Sequence, residues 1–331
     1  MINFELPKEL IAQAPASPRD SARLLVYDRR TRTITDSVFS KLPKFLRNDT
    51  TLVLNNSKVE HCRLLFDEGK TEIFILEKLD TNTVLALVRP GKRFKLGQTS
   101  FLNVSGDNYI EVTTQAIDEV GIRTLKLSVQ HDDERLKLLE HVPLPPYIHS
   151  SPAGEDKLAK EYQTVYAKPL GSKAAPTAGL HFTEKLLDEI SSKHDVEEVT
   201  LHVGLGTFAS LTDDNFKTGT LHKEWYEISE PVAEKLNKAK HITAVGTTTT
   251  RTLESWSASG DKMSETNIFI QPGYKFLKVD SLITNFHLPG TSLLLMVEAF
   301  IGSEQEMKRI YEHAIAEKYR FYSFGDGMLI L

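Results

Sequence analysis

The chain has 331 residues, 40% of them hydrophobic and 26% charged, which is enough for a full core and more in keeping with two domains than one. A net charge of -5 gives no global basic signal, so any nucleic-acid contact must be local. The single cysteine, Cys62, excludes an intramolecular disulfide and a cysteine-based zinc site and suits a reducing, cytoplasmic setting.

The N-terminal MINFELPKELIAQAP has early acids and no apolar stretch, so it does not read as a signal peptide, and LPKELIAQ predicts a short helix. Arg19, Asp20 and Arg23 stand just before a strand at 24–27, and TLVL at 51–54 predicts a second strand. From about 59 to 142, TEIFIL, NTVLALV, YIEVTT and IRTLKLSV are short β-branched runs divided by SGDN and DEVG. That spacing predicts a small antiparallel barrel or sandwich with little helix. The proline- and serine-rich VPLPPYIHSSPAGED, 142–156, reads as its exit linker.

Beyond the linker, strand-like VTLHV, ITAVGT and DSLITNF alternate with helix-like FTEKLLDEISS, PVAEKLNKAK, TRTLESW and TSLLLMVEAFIG. Alternation of this kind predicts an α/β layer on a mostly parallel sheet. The apolar LLLMVEAFI is far too short to cross a membrane. In YRFYSFGDGMLIL, GDG predicts a hairpin turn. The economical arrangement is a discontinuous Rossmann-like α/β domain, residues 1–57 and 150–331, with a β-barrel domain, 58–149, inserted.

Three predicted strands run into polar loops: VTLHVGLGTF, ITAVGTTTTRTLES and ITNFHLPGTSLLL. In an open α/β sheet, such loops share the carboxyl edge where ligands bind, and helix starts behind them favour anions. His202, Gly204, Gly206, Thr207, Thr247, Thr248, Arg251, Asn285 and His287 are therefore candidates for one cleft. Taken singly, each glycine can equally serve a turn and each threonine a helix cap. AAPTAGLHFTEKLL, 174–187, brings small residues, His181 and a helix capped by Thr183 together; its part from Ala175 to Thr183 is read as a flexible lip, with Gly179 permitting a turn. His181 between two apolar residues also fits a buried, hydrogen-bonded histidine.

Several motifs are excluded. VGLGTF lacks the third glycine of a dinucleotide fingerprint, there is no G-x-S-x-G elbow, and no H-E-x-x-H or other metal spacing occurs. A methyltransferase would need a glycine-rich loop after the first strand, where DRRTRT stands. In RPGKRFK, Arg89, Lys92, Arg93 and Lys95 crowd into seven residues, with no acid between Asp80 and Asp107. Such a run suits a phosphate backbone, or a solvated loop.

The stretches PRDSARLL, YQTVYAKPLGSKAAPTAGLHFT, VTLHVGLGTF, EWYEI, GTTTTRTLES, IFIQPGYKF, DSLITNFHLPGTSLL and YRFYSFGDGML closely resemble the S-adenosylmethionine:tRNA ribosyltransferase-isomerase family of queuosine biosynthesis, from end to end. RPGKRFKLG and HVPLPPYI resemble its β-barrel domain. The resemblance implies transfer of the ribosyl part of S-adenosylmethionine to 7-aminomethyl-7-deazaguanine at the wobble position of a tRNA with a GUN-type anticodon. Adenine and methionine leave, and epoxyqueuosine forms. It implies no metal and no cofactor, S-adenosylmethionine being a consumed substrate, and a monomer is expected.

His181, His202 and His287 are the candidate acids and bases, with roles undivided. Asp20, Glu254 and Glu298 are candidates for the sulfonium or ammonium, and Arg251 or a helix N-terminus for the methionine carboxylate. Arg19, Arg23, Thr177, Gly179, Thr183 and Asn285 complete the expected substrate set. One segment departs from the family's usual N-D-T-R-V-I-P-A-R-L: Asn56 and Lys58 replace its aspartate and arginine. The alternative reading is thus a tRNA-binding homologue with impaired catalysis, since an amide lacks the charge and lysine the fork, and ranked behind it an S-adenosylmethionine-dependent methyltransferase.

Overall fold

The computed structural model describes residues 4–145, 147–148, 155–204 and 211–331. The chain forms two compact units, Met1–Lys58 with Pro145–Leu331, and Val59–Leu144.

The larger unit is mixed α/β. Among the described residues its large sheet has nine strands, β1 (Arg23–Asp28), β2 (Thr33–Val38), β3 (Thr50–Asn55), β4 (Asp195–Leu201), β5 (Thr220–Glu227), β6 (His241–Val245), β7 (Met263–Ile268), β8 (Ser281–Asn285) and β9 (Gly327–Ile330). They lie in the order β7-β5-β4-β3-β6-β8-β9-β1-β2. The run β4-β3-β6-β8 is parallel. Polar LHKEWYE and MSETNI make β5 and β7 antiparallel additions at one edge, and TITDSV makes β2 another. The sheet is therefore more mixed than the mostly parallel expectation.

Every residue of β3, β8 and β9 is buried, as strands covered on both faces require. Alternation divides them between two cores: Leu25, Tyr27 and Val53 face one cluster, Leu24, Val26, Leu52 and Leu54 the other. The first cluster packs on helices Glu230–Lys238, Gly246–Ser259, Ser292–Ile301 and Glu304–Ala316, through Leu236, Leu253, Val297 and Ile310 among others. The second packs on Glu184–Ser191, through Leu186 and Ile190.

Two local expectations fail. LPKELIAQ yields only a single 3-10 turn, Lys8–Leu10. GDG is not a hairpin turn: β9 pairs with β8 and β1, while Phe321 bridges to Ile11. The reason lies in Asp326. Its carboxylate accepts from the backbone N–H groups of Arg23 (3.0 Å) and Arg320 (2.8 Å), and from the Arg320 guanidinium. Those donors tie the turn to the start of β1 instead of to a second arm.

The smaller unit holds a curled, half-barrel antiparallel sheet of seven strands, in the order 140–141, 63–66, 71–78, 83–89, 123–127, 108–117, 99–105. In Thr71–Lys78, burial alternates over the first six residues, the mark of one wet and one packed face. Its core gathers Leu64, Phe66, Ile73, Val84, Leu102, Ile110 and Leu125. Among the described residues its one α-helix is the four-residue Glu134–Lys137.

Candidate active site

The carboxyl ends of β6 and β8 open onto a cavity of about 320 Å³, within the usual range for a small-molecule site. Gly246, Thr247 and Thr248 line it after β6, and Asn285, His287 and Thr291 in and after β8. Val203, beyond β4, also reaches it. The described starts of the three loops thus converge on one edge of the sheet, as the switch from strand to helix at that edge dictates. Ala174–Ala178 forms another wall, and Tyr147, Tyr162, Tyr322 and Ser323 complete it. Gly204 lies outside the lining and donates its N–H to Glu224 Oε1 at 2.8 Å. Gly206 and Thr207 fall outside the described residues.

The helix Gly246–Ser259 begins at the cavity with Val245 as its N-cap, which offers no capping side chain. Its first N–H groups therefore lack an intrahelical acceptor, and among the described residues no N-cap side chain meets them. The hydroxyls of Thr249, Thr250 and Thr252 turn back to carbonyls four residues earlier, at 2.6, 3.1 and 3.0 Å, and so are spent within the helix. The Thr248 hydroxyl differs: it is buried without a hydrogen-bond partner among the described residues. Uncapped N–H groups and a spare hydroxyl together favour an anion. At Thr291 the next helix is capped, its Oγ1 accepting from Leu294 N–H at 3.2 Å.

The three histidines separate. His287 lines the cavity, its Nε2 2.8 Å from Thr284 Oγ1 and its backbone N–H donating to Tyr311 Oη at 3.1 Å. Burial pushes its pKa down to about 4. His181 does not line the cavity; it is buried one layer behind, 4.7 Å from the Phe39 ring centre. Burial pushes its pKa down to about 4 as well. Its Nε2 accepts from Asn285 Nδ2 at 3.2 Å, and the same amide also binds the Tyr322 carbonyl and accepts from Thr177 Oγ1. Among the described residues, Asn285 links His181 to the cavity. His202 stacks on Trp225, ring centres 5.1 Å apart, and is not among the lining residues.

The stretch 174–183 is packed instead of being a flexible lip: Ala174, Ala175, Ala178, Gly179, Leu180 and His181 are all buried. Gly179 lies within the 3-10 turn Thr177–His181, its N–H donating to the Pro176 carbonyl at 2.8 Å. A Cβ there would stand 2.0 Å from Tyr166 Oη and 2.9 Å from Thr164 Cγ2, so a side chain would fit only if these neighbours moved. Thr183 caps helix Glu184–Ser191 through Leu186 N–H and donates to Asp20 Oδ2 at 3.1 Å.

The remaining expected ligands lie off the cavity. Arg19 binds the carbonyls of Gln163 and Lys160. Arg23 stacks over Tyr319 at 3.8 Å. Arg251 forms a buried ion pair with Glu224 beside a much smaller pocket, its Nε and Nη2 without hydrogen bonds among the described residues. Glu254 accepts from three backbone N–H groups and Tyr274 Oη. Glu298 is buried, which raises its pKa. Tyr147, Tyr162, Tyr322 and Ser323 were missed by sequence reasoning; PLPPYI and YRFYSF carry them, but no spacing marks a tyrosine as a wall.

Asn56 and Lys58 also lie off the cavity. Asn56 Nδ2 donates to Glu198 Oε2 at 3.0 Å while its Oδ1 accepts from Thr200 at 2.8 Å. An aspartate here would set one carboxylate against another. Asn56→Asp is thus expected to cost roughly 1 kcal/mol at neutral pH, with the loss shrinking as the carboxylates protonate below about pH 4. Urea titrations at pH 7 and pH 4 check this; unchanged stability with faster turnover would mean that the position touches substrate.

In the smaller unit the basic run divides in two. Neighbouring strands bring acids that are absent from the run itself: Arg93 binds Asp67, Thr71 and the Phe101 carbonyl, and Arg89 pairs with Glu72 at 3.1 Å. Lys92 and Lys95 are exposed. If this face meets phosphates, a Lys92→Ala/Lys95→Ala double variant lowers the log–log salt slope of tRNA binding by about two. Arg93→Ala would instead lower the melting temperature. An unchanged slope in the double variant removes both lysines from the interface.

Among the described residues no three His, Cys, Asp or Glu side chains cluster as metal ligands, and no helix is long and apolar enough to cross a membrane.

Comparison with known proteins covers the whole chain. The sequence profile of the family described as queuosine biosynthesis protein matches residues 1–330. The chain is 43% identical to the S-adenosylmethionine:tRNA ribosyltransferase-isomerase of Desulfitobacterium hafniense, across 99% of this chain and 98% of that one. It is 44% identical to the protein of the same name from Caldanaerobacter subterraneus subsp. tengcongensis, with the same coverage. It is also similar to the crystal structure of S-adenosylmethionine tRNA ribosyltransferase from Thermotoga maritima, at 34% identity, TM-score 0.55 and 99% coverage of both chains.

Proposed function

The chain belongs to the queuosine biosynthesis protein family, and we propose that it is an S-adenosylmethionine:tRNA ribosyltransferase-isomerase. It moves the ribosyl part of S-adenosylmethionine onto 7-aminomethyl-7-deazaguanine at the wobble position of a GUN-type anticodon. The sugar rearranges to the epoxycyclopentanediol of epoxyqueuosine, and adenine and methionine leave. It acts as a cytoplasmic monomer and uses neither metal nor cofactor.

The observation that carries this reading is the cavity at the carboxyl ends of β6 and β8, where a helix N-terminus, an amide and a neutral imidazole meet. The methionine carboxylate takes the uncapped N–H groups of the helix Gly246–Ser259 and the spare Thr248 hydroxyl. A sulfonium acidifies the neighbouring C5′ proton, and leaving adenine needs a hydrogen bond or a proton. The His287 imidazole, neutral at physiological pH, can accept the first or donate to the second.

Product analysis tests the reading. Adenine and methionine released together, with 7-aminomethyl-7-deazaguanine tRNA present, support it. S-adenosylhomocysteine would indicate methyl transfer. tRNA binding with neither product would leave an impaired homologue.

A further inference from the structure

A sulfonium carries positive charge but no N–H or O–H. It cannot be held by donating ordinary hydrogen bonds and must find a carboxylate, carbonyl oxygens or an aromatic face. Among the described residues, none of the side chains lining the cavity is a carboxylate. Glu254 has all its acceptor capacity engaged elsewhere, and Asp20 is tied to Thr183. The lining does include three tyrosines, Tyr147, Tyr162 and Tyr322.

Tyr322 is held in an uncommon way. Its φ is +74°, in the left-handed region that bulky residues avoid, and such conformations persist only where the surroundings enforce them. Three hydrogen bonds do so here. Its N–H donates to the Phe286 carbonyl at 3.1 Å, and its carbonyl accepts from Gly325 N–H at 2.9 Å and Asn285 Nδ2 at 3.2 Å. The turn behind it needs glycine, because a Cβ at Gly325 would stand 2.5 Å from the Arg320 carbonyl oxygen. The Tyr322 ring lies against that of Tyr147, centres 3.9 Å apart and planes 38° from parallel. Tyr147 is fixed in turn by the hydrogen bond between its hydroxyl and Ser323. The amide that holds the Tyr322 carbonyl is the one backed by His181.

We propose that Tyr322, braced by Tyr147, is the aromatic wall that receives the sulfonium of S-adenosylmethionine and sets the preference for the charged ligand over its neutral thioether. The assignment rests on the reading that S-adenosylmethionine occupies this cavity. A cation over a tyrosine face gains roughly 3- to 30-fold in affinity, more when water is excluded. The hydrogen bonds that enforce this backbone and the contact with Tyr147 hold the ring in place before the ligand arrives, which lowers the ordering cost of binding.

The test compares affinities of the full-length protein for S-adenosylmethionine and S-adenosylhomocysteine, which share the adenosine and amino-acid ends and differ in the charge at sulfur. The wild type should favour the sulfonium by about 3- to 30-fold. Tyr322→Phe, which keeps the face, should retain most of that preference. Tyr322→Asn removes the ring yet suits the left-handed backbone, and should bring the ratio near one, mainly by weakening S-adenosylmethionine. Because the ratio is taken on one preparation, it is insensitive to the fraction folded. Equal losses for both ligands would make Tyr322 a packing wall for adenosine and overturn the proposal, as would a ratio the asparagine leaves intact. Equal binding of both ligands by the wild type overturns the sulfonium assignment alone. Binding of neither overturns the cavity reading and this proposal with it.

Discussion

His287→Ala is expected to lower turnover by about 100-fold or more, the usual scale for losing a general acid or base, with tRNA affinity and melting temperature little changed. His287 lines the cavity and has its Nε2 against Thr284. With its pKa near 4, it stays neutral from pH 6 to 8, so kcat/KM should be flat there instead of breaking near the ordinary histidine value of about 6.5. His181→Ala should behave differently. That ring is buried against Phe39 and supports Asn285, so its loss lowers stability first and turnover only through a displaced amide.

The pH dependence carries a sign. His181 has its folded pKa depressed to about 4, so the unfolded chain takes up the proton first. Its contribution is whole above about pH 6.5 and is lost as the pH falls toward 4, on the order of 3 kcal/mol. Urea unfolding of wild type and His181→Ala at pH 7.5 and 5, beside single-turnover adenine release, separates the two histidines. A stable His287→Ala protein that releases adenine at the normal rate would end its assignment.

Glu254→Ala should be among the most destabilising single changes, costing about 3 kcal/mol or more. The side chain is fully buried. Its two oxygens accept from the N–H groups of Leu277, Lys278 and Val279 at 2.7–3.0 Å and from Tyr274 Oη at 3.1 Å. Truncation strands four donors at once, each worth about 1–3 kcal/mol when left unmade, though not additively. Glu254→Gln keeps one acceptor oxygen but turns an amide NH2 toward N–H groups, so it should fall between. Urea midpoints decide it. An alanine variant of near-normal stability that no longer binds S-adenosylmethionine would make Glu254 a substrate ligand after all.

The contrast between Glu254 and Thr248 shows what was legible. Both stand on GTTTTRTLES, and the strand-to-helix texture was enough to put its start at the carboxyl edge with the loops after β4 and β8. Periodicity and turn residues are local signals. What an acid eight residues from the helix start would meet is not local. The donors to Glu254 arrive from 274–279, and the acids that engage Arg93 and Arg89 come from Asp67 and Glu72 on an earlier strand and its turn. A run that looked free in one dimension is half neutralised in three. The same blindness made GDG look like a hairpin, because the alternative partner of β9, at 24–27, lies three hundred residues upstream.

That pairing also bears on how the molecule comes into being. The four residues of β9 bridge β8 and β1 in the interior of the nine-stranded sheet. During synthesis, β1 and its hairpin partner β2 emerge early and must wait, edge exposed, until residue 330 has cleared the ribosome. Contacts of such sequence separation form slowly, and an unpaired edge is open to other chains in the interval. The inserted half-barrel carries its own core and local strand pairing and is free to fold during that wait. A chain broken off before 327 would leave the middle of its sheet unfilled, an incomplete product that proteolysis can remove.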